Sequence, residues 1–389
     1  RSGHSFPTRR SSDLESANLF SSSWTPSKVK APLATGFGIT HGQRLINNDR
    51  EILGFYFSVN FDNSFHTRQG VERTLNSEGT SGQDFSSVTY DYSTQKSALL
   101  SLEYDLFDKL QLEFNTIYLQ NTSNYIREAY GRNDGFTQLN NRDFFIRDTR
   151  YTENDNLIFQ LHSNMEWEEK KHRLEISGSV GLGNNQVPDR RVLRAAGTGE
   201  DAEYITTNGI NPFRFFQNLE NNAFSAKAEY SLGLAGTENG DFTAYLKAGY
   251  NLDAIKYDFF NRTITAQVDN TSLPNLNTND PQAFFDQGFS EGFFRYSSTF
   301  DPAAKSEISQ MVNAGYLIFQ KQWEKLLFDA GIRAEYASRT IRYRRPLDRP
   351  DSPFQELNYE PFDLSPSLNL KYDLDASSNL RFAGSVTST

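Results

Sequence analysis

The stretch LLFDAGIRAEY, residues 326–336, decides the fold. From Phe328 onward its apolar residues take every second position: Phe328, Ala330, Ile332, Ala334 and Tyr336. Asp329, Gly331, Arg333 and Glu335 occupy the positions between. Successive side chains of an extended strand point to opposite faces, so this spacing gives a ribbon with one apolar and one polar side.

The same alternation recurs on both sides of that stretch. Leu157, Phe159 and Leu161 alternate with Gln160, His162 and Asn164 as polar partners. Leu174, Ile176, Val180 and Leu182 face away from Arg173, Glu175, Ser177 and Ser179. Phe224, Ala226, Ala228, Tyr230 and Leu232 oppose Ser225, Lys227, Glu229 and Ser231. Leu364, Leu368, Leu370 and Tyr372 oppose Asp363, Ser365, Ser367, Asn369 and Lys371.

The spacing of the strands carries a second signal. Short connections are expected near 45–52, 107–109, 168–171, 235–240, 322–325 and 373–378, and long polar ones near 67–94, 123–152, 185–220, 259–304 and 342–360. The two kinds alternate strictly. A soluble sandwich or propeller has strands at roughly 8–12-residue spacing, whereas outer-membrane barrels have short periplasmic turns and longer extracellular loops. The expected fold is therefore all-β: a partial transmembrane antiparallel β-barrel of about twelve strands, set against about 22 in large transporters. Tyr104, Phe107, Trp167, Tyr230, Trp323 and Tyr372 lie near strand ends, many beside short turns, where an aromatic girdle meets the lipid headgroups.

Composition agrees. The 389 residues include 32 Phe and 19 Tyr, which favour strands. No run of about 18 apolar residues exists, which excludes a transmembrane helix. Mean hydropathy of -0.64 is compatible with spanning strands, whose alternate residues face water or the lumen. No Cys is present, which removes disulfides and thiolate metal sites. The net charge of -10 argues against a nucleic-acid partner.

Residues 1–14 read RSGHSFPTRRSSDL, and HSFPTRRSSDL within them resembles a translated sequencing adapter. This segment is set apart, leaving 15–389 as the barrel region; the chain reads as a fragment that stops within a strand at Thr389.

Several segments resemble TonB-dependent outer-membrane receptors of the large Bacteroidota type. The resemblance covers roughly residues 30–389. PFRFFQNLENNAFSAKAEYSLGL (212–234) resembles a loop-to-strand segment, and DFTAYLKAGYNLDAIKYDFFNRTI (241–264) the strand after it, with Lys247, Gly249, Phe259 and Arg262 at motif positions. SEISQMVNAGYLIFQKQWEKLLFDAGIRAEYAS (306–338) carries the Gly-Xaa-Arg-Xaa-Glu end at Gly331, Arg333 and Glu335. LSPSLNLKYDLDASSNLRFAGSVT (364–387) resembles a Pro-Ser-Xaa-Asn hairpin with an Asn-Xaa-Arg strand. The plug domain, the TonB box and the final aromatic strand of the family have no counterpart here. The resemblance implies localisation in the cell outer membrane and energised uptake of a scarce ligand: a siderophore, cobalamin or an oligosaccharide. Its implied partners are outer-membrane lipid, the TonB complex acting through the plug region, the imported ligand and a surface lipoprotein. The alternatives are another outer-membrane barrel, either a porin or a secretion or assembly pore, and a soluble extracellular polysaccharide-binding β-protein.

Catalytic motifs are missing: no Walker A, Rossmann, HExxH or Gly-Xaa-Ser-Xaa-Gly pattern occurs. No enzyme activity, cofactor or metal site is expected. His4, His41, His66, His162 and His172 are scattered, and Glu168 and Glu169 sit in an expected turn. NDPQAFFDQG (279–288) and GRNDG (131–135) are acidic but lack calcium-loop spacing; PLDRPDSPF (346–354) reads as a stiff exposed loop. Tyr125, Tyr130, Phe213, Phe215, Phe216, Phe284, Phe285 and Phe289 are the candidate ligand contacts of the long connections, or else the residues that pack those connections together.

Overall fold

Alternation becomes pairing when each apolar face aligns with the next. A computed structural model describes residues 20, 23–31, 33–75, 77, 81–107, 109–133, 143–206, 211–236, 242–268, 273–298, 301, 304–349, 351–375 and 377–386. The adapter-like segment 1–14 and Thr389 lie outside them, as does the end of the acidic stretch at 134–135.

The strands are β1 (Gly36–Asn47), β2 (Glu51–Leu75), β3 (Ser81–Leu106), β4 (Leu110–Asn133), β5 (Phe144–Trp167), β6 (His172–Ala196), β7 (Glu203–Tyr204), β8 (Phe213–Gly236), β9 (Phe242–Val268), β10 (Phe294–Ser298), β11 (Lys305–Gln322), β12 (Leu326–Tyr343), β13 (Gln355–Tyr359), β14 (Phe362–Asp373) and β15 (Asn379–Ser385). Among the described residues one α-helix, α1 (Pro281–Ser290), interrupts them. All strands join one antiparallel sheet. Twelve of them form a continuous path, β1-β2-β3-β4-β5-β6-β8-β9-β11-β12-β14-β15, and β7, β10 and β13 pair beside it. Among the described residues β1 and β15 are not paired to each other, so the barrel is partial.

Short turns at 48–50, 168–171 and 323–325 close one end, as expected. The pairs Leu106↔Leu110, Gly236↔Phe242 and Asp373↔Asn379 bring the ends of β3–β4, β8–β9 and β14–β15 together there, while 108, 237–241 and 376 lie outside the described residues. The other end differs from the expectation in one respect. Most of each long polar connection is strand: β2 and β3 stay paired from Glu51↔Leu106 out to Leu75↔Ser81, and β4 and β5 from Leu110↔Met165 to Gly131↔Phe144. Polar residues on both faces erase alternation above a membrane, yet ladder hydrogen bonds still satisfy the backbone there.

The register sorts the side chains into two faces, because directly paired residues share a side. Leu157↔Leu182, Phe159↔Val180, Val180↔Phe224 and Phe224↔Ala254 carry one apolar surface from β5 to β9. Met311↔Ala254, Ile332↔Leu317 and Leu370↔Phe328 continue it to β14. The surface is not closed into a dry core: Ile176, Val180 and Ile332 are exposed, and Leu174 and Ala330 half-buried. On β5 it runs from Leu157 to Met165, a rise of roughly 27 Å along the strand at about 3.4 Å per residue. Trp167, Tyr230, Trp323 and Tyr372 sit at its short-turn end, forming the girdle; Trp167 stacks on His172 at 5.3 Å and Trp323 meets Phe328. Among the described residues no helix is long and apolar enough to cross a membrane.

One irregularity matters for the site. On β6 the pairs Val187↔Gln217 and Arg190↔Phe215 skip one residue, and the pairing with β5 jumps from Gln186↔Glu153 to Arg191↔Thr149. This is a β-bulge, placed at Pro188, which cannot donate to a ladder. Below it the even-numbered residues of β6 join the apolar surface; above it the odd-numbered residues do.

The lumen mouth as candidate functional site

The polar face opposite the belt lines the lumen. At belt level it carries Glu175, Lys227 and Glu229, with Lys227 Nζ 3.3 Å from Glu229 and 3.9 Å from Glu175. Tyr316 donates to Glu229 from β11, reaching across the intervening β9. Higher up the lining is mostly neutral: Asn156 pairs with Gly183, and Asn185 donates to Asn154.

Above the bulge the lumen face becomes basic and aromatic. Arg190 binds Asp148 with both ends of its guanidinium, at 2.9 and 2.6 Å. Arg127 grips Glu72 in the same forked way. Such fork-to-carboxylate pairs are the strong, geometrically specific kind of ion pair. They hold Arg190 and Arg127 above the ordinary guanidinium pKa, and Arg127's hydrogen bonds hold Glu72 below the ordinary carboxylate value. Arg150 lies over the Tyr125 ring at 5.1 Å and Arg194 over Phe213 at 5.4 Å, both in cation–π geometry. Burial, then the like charge of Arg190, pushes the Arg194 pKa down. The pairs Val192↔Phe213 and Arg190↔Phe215 place both phenyl rings on this same wall.

The opposite face of the same strand tops carries a cap. There Trp24, Phe145, Leu193, Tyr204, Phe216, Leu276, Phe284, Phe285, Phe289 and Phe294 form one buried cluster. α1 is capped by Asp280, whose side chain accepts from the Ala283 N–H, and it has Pro281 at its start, as helix N-termini favour. The stretch 279–288 is therefore a helix start and not an ion loop. The segment before β1 docks here as well: Trp24 stacks on Phe285 at 4.6 Å, and Thr25 Oγ1 donates to Asp280 at 2.7 Å. Arg214, 2% exposed, lies between the rings of Phe20 and Trp24 and bonds Asp189 at 2.6 Å. Arg147 reaches from β5 to the Thr278 carbonyl at 2.8 Å and pairs with Glu128.

These positions divide the candidate aromatics. Phe216, Phe284, Phe285 and Phe289 are buried in the cap, on the continuation of the lipid face, and Tyr130 faces the same way. Tyr125, Phe213 and Phe215 face the lumen. Tyr125, Tyr130, Phe213, Phe215 and Phe216 lie on strands, not on loops as the sequence suggested. His162 is a strand residue paired with Glu113, and Glu168 and Glu169 are exposed turn residues, both as expected. In the Pro-rich stretch, Phe354 is half-buried and takes the Arg344 guanidinium over its ring at 4.3 Å. The mouth arginines were missed, since nothing in a single strand tells which face a bulge will give it.

Residues 197–387 match the family described as "Outer membrane protein beta-barrel family". The comparison with curated proteins gives no match. Among solved structures, the chain is similar to the siderophore receptor PiuA from Acinetobacter baumannii at 7% identity, over 82% of this chain and 52% of that one, with a TM-score of 0.32. It is also similar to the ferric-catecholate import receptor Fiu from E. coli K12 in its open form (10% identity, 90% and 69% covered, TM-score 0.27). A third is the copper transporter OprC (9% identity, 90% and 60% covered, TM-score 0.25). The chain spans about half the length of the first of these. Lipid accepts a sheet only when its outward side chains are apolar and its backbone groups are paired within it, and the region of this sheet at residues 197–387 matches the outer membrane protein beta-barrel family, which places the chain in the outer membrane.

Proposed function

We propose that this chain forms barrel wall of a TonB-energised uptake receptor for a scarce ligand. The observation that supports the reading best is the mouth. A belt built for lipid surrounds a polar lumen, and the lumen opens outward on arginines and rings in place of a plain hydrophilic rim. Hydrophobic and aromatic lining with a few placed polar groups is the chemistry of a binding site. The motif resemblance at Gly331, Arg333 and Glu335 supports the receptor family, since these residues lie on β12 with Arg333 bonding Glu335 at 2.8 Å inside the lumen. In this reading a plug domain occludes the barrel, the TonB complex acts on it from the periplasm, and a surface lipoprotein assists capture. The protein moves its ligand without bond chemistry.

The test is uptake by cells that express the complete gene product. Radiolabelled ferric siderophore, cobalamin and oligosaccharide are supplied with and without a protonophore that collapses the inner-membrane gradient. Accumulation of one class that stops when the gradient is collapsed supports the reading. Entry that continues unchanged marks a passive pore.

A further inference from the structure

Between the belt-level charges and the arginine mouth, the lumen wall carries a neutral band. Asn121, Asn154 and Asn185 are successive direct partners on β4, β5 and β6. One row below them, Asn156, Gly183, Asn221 and Tyr257 are successive partners on β5, β6, β8 and β9. Directly paired residues share a face, so all of these side chains point into the lumen. Along β5 the nearest lumen-facing charge is Arg150, four residues above Asn154, or roughly 14 Å. Along β8 it is Lys227, six residues below Asn221, or roughly 20 Å.

The lower row has a gap at its centre. Asn156 and Asn221 lean over Gly183 from both sides: a Cβ at 183 would run into Asn221 Oδ1 and stand 3.0 Å from Asn156 Oδ1. The bare glycine thus leaves a cradle floored by backbone and walled by two carboxamides. In the row above, Asn185 is already engaged, donating to Asn154. Neither the Asn156 nor the Asn221 side chain hydrogen-bonds another described residue. Tyr257, half-buried beside Asn221, closes one end of the row with an aromatic ring.

This chemistry selects by polarity without charge. An ion entering the band would give up hydration and meet no counter-charge. A carboxamide offers a donor and an acceptor side by side, which matches neighbouring hydroxyls whichever way the amide is turned. The amphipathic tyrosine ring offers its face to the C–H side of a sugar ring. From Asn156 to Tyr257 is three strand spacings, roughly 14 Å, the span of a short oligosaccharide.

We infer that Asn156, Asn221 and Tyr257, set around the bare Gly183, form a subsite for a neutral oligosaccharide in the lumen beneath the mouth. The inference rests on the uptake reading for its purpose and narrows that reading to one ligand class. Its measurement is independent, because equilibrium binding needs no energised transport.

The test uses the full chain in a detergent without a sugar headgroup, titrated with maltohexaose, cellohexaose, xylohexaose and mannohexaose, and with hexagalacturonate as the charged counterpart. At least one neutral sugar should bind tenfold or more tightly than the acid, with an affinity that holds within twofold as salt rises. Asn156→Ala and Asn221→Ala should each weaken that binding about three- to tenfold. Gly183→Val fills the cradle without removing a polar group and should weaken it more than tenfold. Asn222→Ala, on the outward face of the same strand, should leave it unchanged. Migration as the compact form on unheated gels confirms that each variant is folded. Binding of none of the neutral sugars, equal or tighter binding of the acid, a steep loss of affinity with salt, or folded Asn156, Asn221 and Gly183 variants with unaltered affinity would overturn the proposal. Neutral-sugar binding without gradient-dependent uptake would leave the proposal standing and remove the transport reading. Gradient-dependent uptake of a siderophore or cobalamin without sugar binding would do the reverse.

Discussion

The ring of Tyr316 lies flat across the backbone of Gly249: a Cβ at 249 would stand 2.2 Å from its Cζ. The two residues are direct partners on β11 and β9, and the hydroxyl at the far end of the ring donates to Glu229 on β8. Glycine is required here by the aromatic side chain that covers it, the arrangement by which a ring rescues a strand glycine. Gly249→Ala should displace Tyr316, break its hydrogen bond and cost about 1–3 kcal/mol. Tyr316→Ala combined with Gly249→Ala should cost much less than the sum of the single changes. Heat-dependent gel mobility measures both; strict additivity would show that the two residues do not interact.

The β5–β6 turn stores strain. Glu168, Glu169 and Lys170 have φ of 51°, 55° and 66°, three consecutive non-glycine residues in the left-handed region. Each such residue costs roughly 1–2 kcal/mol, offset by the Trp167–His172 stack that the turn closes. Replacing Glu169 by Gly should add about 1 kcal/mol of stability after the added chain entropy is counted, seen as a higher urea midpoint. A lower midpoint would count against the strain.

Asp189 neutralises the buried end of Arg214. Breaking a buried pair on one side leaves an uncompensated charge, at about 3–5 kcal/mol. Asp189→Ala should therefore loosen the cap locally. Limited proteolysis should then cut around Phe20–Thr25 and α1 while the belt stays intact. Unchanged cleavage would show that the cap does not depend on this pair.

Tyr204 supplies a pH dependence. Burial pushes its phenol well above the ordinary value, and its hydroxyl donates to the Ala266 carbonyl at 3.0 Å. A group whose folded pKa is raised stabilises fully below its unfolded pKa, about 10, and loses that contribution as pH rises toward the folded value. The cap should open above about pH 10 with a tyrosinate absorbance step. Tyr204→Phe should remove that step, at a cost near 1 kcal/mol at neutral pH. An identical alkaline transition in the variant would assign it elsewhere.

The belt, the short turns and the number of through-going strands were legible because lipid imposes a strict period of two, as at Phe328–Tyr336 and Phe224–Leu232. Where that pressure ends, so does legibility. Glu72 and Phe85 pair, as do Val71 and Ser86, in a perfectly regular ladder, yet their order carries no alternation. The cap was invisible for a different reason. Trp24 meets Gln282 across 258 residues, and Phe284, Phe285 and Phe289 show an apolar helical stripe too short to distinguish from loop aromatics. The split of the candidate aromatics between lumen and cap depends on register, which only the pairing of neighbours defines.

The bulge at Pro188 takes up one residue that has no partner of its own on β5 or β8. Deleting one residue between Val187 and Arg190 would restore an even ladder and leave every other side chain where it stands: Leu174, Ile176, Val180 and Leu182 toward lipid, Arg191 and Leu193 outward, Arg190 and Arg194 toward the lumen. A single-codon loss at this position is therefore a silent length change, one that the wall absorbs without exchanging what it shows to the membrane and to the mouth.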